Sequence, residues 1–144
     1  MKSKTILLSI HPCHVEKILS GEKIYEYRKN IPTDIRYVVI YATVPMKSIV
    51  AFAEVDSVLK RNPKEIWRKT KGYSGITEGF FMSYFRQRDN AFAIKIKHVH
   101  KLQEPKSITI LDKIGCAPQS YRYIQEPLGD LNSKFGLYPL TMMT

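Results

Sequence analysis

Lys23, Glu26 and Arg28 stand within six positions and have the side-chain types to act together, as two cations around a carboxylate. An ammonium and a guanidinium so placed suit an anion, and the carboxylate between them can pair with either. The same trio would serve proton chemistry, because a lysine desolvated in a pocket can act as nucleophile or base while a nearby carboxylate shuttles the proton. Contact with a carboxylate keeps a lysine protonated, however, and that favours anion binding over nucleophilic attack. On an open surface the group would reduce to an ion pair worth about 1 kcal/mol or less, with Lys23 merely solvated.

Which of these applies depends on the elements that carry the trio. Pro12 to Ser20 reads as a short helix, with Val15, Ile18 and Leu19 on one side and Glu16, Lys17 and Ser20 on the other. Gly21 falls where a helix end needs a residue that tolerates positive φ. From Ile24 the chain is aromatic and alternating, as in a strand. Ile24, Glu26 and Arg28 then share one face, and Lys23, Tyr25 and Tyr27 the other. Lys23 joins Glu26 and Arg28 only if the helix-to-strand junction is irregular, which Gly21 permits.

Other chemistries find little support. His11, Cys13 and His14 are close in sequence and His98 and His100 share a strand face, yet no spacing matches a structural zinc site. No metal is expected. No phosphate-binding loop, dinucleotide fingerprint or serine-nucleophile elbow occurs, so no cofactor is expected either.

The run Leu7-Leu8-Ser9-Ile10-His11-Pro12, a short helix, and then G-x-K-x-x-E-x-R at Gly21, Lys23, Glu26 and Arg28 resembles the start of the ASCH domain, a member of the PUA-like superfamily. Ile40-Tyr41-Ala42-Thr43, Pro45, Lys47 and Ile49-Val50-Ala51 look like the family's second and third strands. Phe81, Tyr84 and Phe85 before Ala91-Phe92-Ala93-Ile94 look like its late helix and strand, and Pro118 to Tyr123 like its closing segment. The resemblance implies an α+β fold, a small, partly open mixed β-barrel with flanking helices and a cleft beside the first helix. It also implies an RNA-related role. The ligand would be RNA or a nucleotide-like molecule, with DNA as a further candidate, contacted by Lys23, Glu26, Arg28 and Lys47, with Tyr25, Tyr27 or Tyr41 stacking on a base. Some members are amidohydrolases acting on an acetylated cytidine and others are ribonucleases. In an enzyme of either kind Lys23 and Glu26 would be the catalytic groups, although the amidohydrolases carry threonine where this chain has Glu26. A protein-interaction domain in transcription or translation is the remaining alternative.

The chain of 144 residues fits a single domain over 1–144, with a core at about 4–123 and an irregular packed tail at 124–144. With 23 Lys and Arg against 13 Asp and Glu the net charge is +10, which favours a polyanionic partner. No apolar run approaches a membrane span and no signal peptide is evident, so the expected location is cytoplasmic. The two cysteines suggest no disulfide framework.

Further along, Thr5–Ile10 and Tyr37–Thr43 read as buried central strands, Ser48–Leu59 as a long strand half exposed, and Ala91–His100 as another. Asn62-Pro63 starts a helix with Ile66 and Trp67 inward, while Lys64 and Arg68, one turn apart, offer a phosphate-contacting patch. The plainer account of such a charge run is a solvated helix face. Ile76-Thr77 opens a helix whose aromatics, Phe80, Phe81, Tyr84 and Phe85, read as core. Gln103–Pro105 is expected to be a loop, and Ile108–Ile114 helix or strand.

Overall fold

The computed structural model describes residues 4–111, 116–125 and 128–136. Six strands form one sheet in the order β2-β5-β4-β3-β1-β6, curled into a half barrel. They are β1 (Thr5–Ile10), β2 (Tyr25–Arg28), β3 (Tyr37–Ala42), β4 (Ser48–Arg61), β5 (Ala91–Lys106) and β6 (Tyr121–Ile124). The helices are α1 (Pro12–Ser20), α2 (Pro63–Thr70), α3 (Glu78–Tyr84) and α4 (Leu128–Phe135). The β1–β3 pair is parallel, and all the other strand pairs are antiparallel. The fold is thus the mixed α+β half barrel expected.

The helices α1, α2 and α3 each start where the sequence supplies a cap or a proline. Asn62 accepts from the Glu65 N–H at 3.0 Å and Thr77 accepts from the Phe80 N–H at 3.1 Å, each satisfying a donor that the first turn leaves open. Pro12 and Pro63 occupy first-turn positions where no N–H is needed. Gly21 closes α1 at φ 86°, and its N–H bonds to the Ile18 carbonyl.

Three apolar clusters hold these elements together. Ile6, Leu8 and Ile10 of β1 face α1, where Val15 and Ile18 meet them. Leu7, on the opposite face of the same strand, joins Val39, Phe52, Leu131 and Phe135. Both faces of β1 are therefore covered, as its continuous apolar run requires. The third cluster packs α2 and α3 on the β2–β5 edge through Ile66, Phe81 and Phe85, around Tyr27. Each of these phenylalanines contributes about 2–3 kcal/mol by leaving water.

Two expectations are corrected. Gln103–Pro105 is not a loop but part of β5, because pairing with β4 resumes beyond it at Lys106. Pairing steps from Ile49–Lys106 to Ala51–Lys101, so Pro105 falls in a register shift where its missing N–H is tolerated. The stretch 124–144 is not irregular over Leu128–Phe135, which is α4; Leu131 and Phe135, four apart, turn into the second cluster. Ile108–Ile110 forms a single 3-10 turn, whereas 112–115 and 137–144 lie outside the described residues.

Candidate functional site

Lys23 follows the α1 cap before the regular pairing of β2 begins. Its N–H returns to the Lys17 carbonyl at 3.0 Å, and the next N–H, of Ile24, bonds to the Tyr73 carbonyl at 3.0 Å. The junction is irregular, and it turns Lys23 toward Glu26. Nζ lies 3.8 Å from Glu26 Oε1 and donates to the Ser74 carbonyl at 2.6 Å, with the Tyr27 ring centroid 4.7 Å away. Arg28, two along β2, reaches the same carboxylate: Nη2 and Nε donate to Oε2 at 2.9 and 3.2 Å.

This is not a surface ion pair. The side chains of Lys23, Glu26 and Arg28 are 2%, 8% and 13% exposed. In such surroundings the gain from each contact competes with the cost of removing charges from water, and geometry decides the balance. Burial holds the Lys23 amine below the ordinary lysine range, against the opposing pull of Glu26. Carbonyl, carboxylate and aromatic face together still suit an ammonium.

Arg28 is fixed from the far side of the sheet. Nη2 donates to the Ser9 carbonyl at 2.7 Å and Nη1 approaches Ser120 Oγ at 3.5 Å. Ser9 in turn donates from Oγ to the Pro118 carbonyl at 2.7 Å, and its N–H bonds to the Ser120 carbonyl. The end of β1 and the segment leading into β6 thereby form a seat for the guanidinium.

The trio opens on a cavity of about 240 Å³, whose wall also includes Ser9, His11, His14, Tyr27, Phe80 and Tyr84. His14 is half-buried, its Nδ1 has no hydrogen-bond partner among the described residues, and burial pushes its pKa below the ordinary imidazole value. Tyr27 presents its ring, since its hydroxyl donates to Thr70 Oγ1 at 2.7 Å while Thr70 donates to the Ile66 carbonyl. Burial raises the Tyr27 pKa to about 12. Tyr84 is half-buried and its pKa is raised for the same reason.

Of the residues singled out in the sequence, Lys23, Glu26 and Arg28 come together here, joined by Tyr27. Tyr25 packs against the third cluster and does not line the cavity. Tyr41 is 8% exposed within the second cluster, a core residue with no ring face open to a base. Lys47 is exposed in the turn after β3, and Lys64 and Arg68 are exposed on α2, all apart from the cavity wall. Sequence reasoning passed over Ser9, Phe80 and Tyr84. The signal for the last two was present: α3 carries two i,i+4 aromatic pairs, and the core uses Phe81 and Phe85, which leaves Phe80 and Tyr84 for the adjacent stripe. His11 and His14, weighed as metal ligands, line the cavity. Among the described residues no group of three or more His, Cys, Asp and Glu side chains could hold a metal ion. Nor is any described helix long and apolar enough to cross a membrane.

Residues 8–100 match the sequence profile of the ASCH domain. Among curated proteins, the chain is 26% identical over 128 residues to an ASCH domain-containing ribonuclease of Zymomonas mobilis, spanning 85% of this chain and 86% of that protein. It is also 26% identical over 125 residues to the large ribosomal subunit protein uL22 of Ureaplasma parvum, where the match spans 85% of this chain and 40% of that protein. Among solved structures, ASCH from Zymomonas mobilis superposes with a TM-score of 0.80 at 23% identity, over 91% of this chain and 92% of that one. A point mutant of the same protein gives 0.79 at 20% identity, over 96% and 98%.

Proposed function

The chain belongs to the ASCH domain family, and from that membership together with the cavity we propose that it binds RNA, with an unstacked base or its phosphate held at Lys23, Glu26 and Arg28. The observation that carries the reading is that one buried carboxylate organises two cations on the wall of an open cavity lined by aromatic rings. Glu26 Oε2 is occupied by Arg28, whereas Oε1 keeps only the longer approach to Lys23 and is suited to accept from a base amino group. Arg28 and Lys23 supply positive charge, and Phe80 and Tyr84 supply ring surface for stacking. A net charge of +10 supports a polyanionic ligand.

A second reading is favoured by His14. An imidazole on the cavity wall, kept neutral near pH 7 by burial, is suited to accept a proton, and a relative carries the name ribonuclease. In that reading RNA bound at the same site would be cleaved. Deacetylation of a modified nucleoside fits less well, because Lys23 is engaged by a carbonyl and a carboxylate.

The test compares wild type with Arg28→Ala and Arg28→Lys for binding of a short single-stranded RNA and a short hairpin at low and high salt. Wild-type binding that weakens steeply with salt, and falls at least tenfold in Arg28→Ala, supports the reading. Equal binding by all three proteins would move the site to α2. No binding by the wild type would refute it.

A further inference from the structure

The cavity is too small for a nucleotide with its sugar and phosphate. At about 240 Å³ it lies below the roughly 300–1,000 Å³ usual for pockets that enclose a whole small ligand, and it suits a single ring system. The remainder of any nucleotide ligand must lie outside. A second groove of about 510 Å³ begins there, sharing His14, Ile76 and Phe80 with the cavity and continuing past Lys17, Lys71 and Gly75. The two spaces are neighbours across a ridge, and Phe80 stands on that ridge.

We propose that this groove binds the nucleotide adjacent to the one in the cavity, so that the ligand is a single strand of RNA at least two nucleotides long rather than a free nucleoside. The inference rests on the reading of the cavity as an RNA site and specifies what that site takes. Phe80 is 54% exposed, whereas Phe81 and Phe85 beside it are 0% and 2% exposed. Its ring has the His14 ring 6.3 Å away, and it lines both spaces. An exposed ring between the two spaces is a platform on which a base stacks, and stacking accepts any base.

The groove wall carries the complementary charge. Lys71 is exposed at the turn between α2 and α3, and among the described residues no ion pair engages it. Lys17 donates to the Gly75 carbonyl at 2.7 Å and leaves its positive charge on the same wall. The phosphate joining the two nucleotides would cross the ridge between these lysines and Arg28. Glu22 also lines the groove and disfavours a phosphate beside it. A base pair would keep both bases stacked and out of both spaces, which selects single strands over duplexes.

The experiment measures competition by unlabelled oligoadenylates of one to four nucleotides against a fluorescein-labelled ten-nucleotide oligoadenylate, with an oligouridylate series in parallel. The readout is the ratio of dinucleotide to mononucleotide affinity. Wild type should show a ratio of about ten or more, as one added stacked base supplies. Phe80→Ala and Lys71→Ala should each lower that ratio, Phe80→Ala to nearly one. Both residues are exposed, so a circular dichroism melt should match wild type. A ratio near one in the wild type, or a ratio unchanged by Phe80→Ala, overturns the inference while leaving the cavity as an RNA site. Failure of wild type to bind either labelled decamer overturns the cavity reading, and the inference with it.

Discussion

The side chain of Lys23 lies against the α-carbon of Gly75: a methyl group on Gly75 would meet the Lys23 Cβ at 2.8 Å and its Cδ at 2.9 Å. Gly75 also has φ +70°, a conformation that costs other residues strain. The adjacent carbonyls of Ser74 and Gly75 receive the ammonium groups of Lys23 and Lys17, so this short loop closes over the buried lysine. Gly75→Ala should destabilise the protein by about 1–3 kcal/mol, from backbone strain and crowding together. A urea titration against wild type checks this, and an unchanged midpoint would mean that the loop yields freely.

Glu26 is the only carboxylate within salt-bridge reach of Lys23 or Arg28 among the described residues. Removing it leaves two largely buried cations facing each other. Glu26→Ala should therefore cost about 3–5 kcal/mol, well above the effect of breaking an exposed pair such as Arg61–Glu65. Adding Lys23→Met to Glu26→Ala should recover part of the loss. Chemical denaturation of the single and double variants measures both effects.

Tyr27 sets an alkaline limit. Its pKa is about 12 in the folded protein, against 10.0 for the free side chain, and burial is the leading cause. Between those values the folded state holds a proton that the unfolded state has released, so stability falls as pH rises from 10 to 12. The loss approaches about 2–3 kcal/mol for this one group. Denaturation midpoints at about pH 9 and pH 11, on either side of the ordinary tyrosine value, should converge in Tyr27→Phe, after allowance for its small loss at neutral pH. Equal pH dependence in both proteins would exclude Tyr27 as the cause.

Lys64 and Arg68 offer a contrast. Both are exposed on α2, and reversing their charges should change stability by no more than about 0.5 kcal/mol. If RNA also passes over α2, each reversal should lower the salt slope of binding by about one and weaken all sequences alike. If affinity and slope stay at wild-type values, the α2 charges are solvated and the strand runs elsewhere.

His14 yields a pH signature for the ribonuclease reading. Its pKa lies below the ordinary imidazole value of 6.5, so the neutral form dominates above that value and protonation sets in below it. Cleavage dependent on neutral His14 should persist to lower pH than an ordinary imidazole would allow before it falls, and His14→Asn should abolish cleavage while RNA binding persists. Cleavage that survives in His14→Asn assigns the chemistry to another group.

Much of the scaffold was legible because it follows local rules. Pro12, Gly21, Asn62 and Thr77 marked the helix ends through caps and fixed dihedrals, and alternation marked the strands. What escaped the sequence depended on partners. β5 continues through Pro105 because its pairing with β4 resumes at Lys106, and α4 is held by apolar side chains from distant strands. In the site, Glu26 and Arg28 followed from strand periodicity, whereas Lys23 depended on a junction that periodicity does not describe. Tyr41 had the right residue type, but it alternates into the second cluster. Phe80 was hidden among four aromatics whose division between core and cavity is set by the direction of α3.

The seat of Arg28 has a temporal consequence. It joins the end of β1 to Pro118 and Ser120, residues more than 100 positions later in the chain. As the polypeptide leaves the ribosome, α1 and the β1–β3 and β3–β4 pairs can form before β5, but the guanidinium has no complete anchor until the segment around Ser120 has emerged. The nascent chain would thus carry its basic surface for most of its synthesis before it owns a finished pocket.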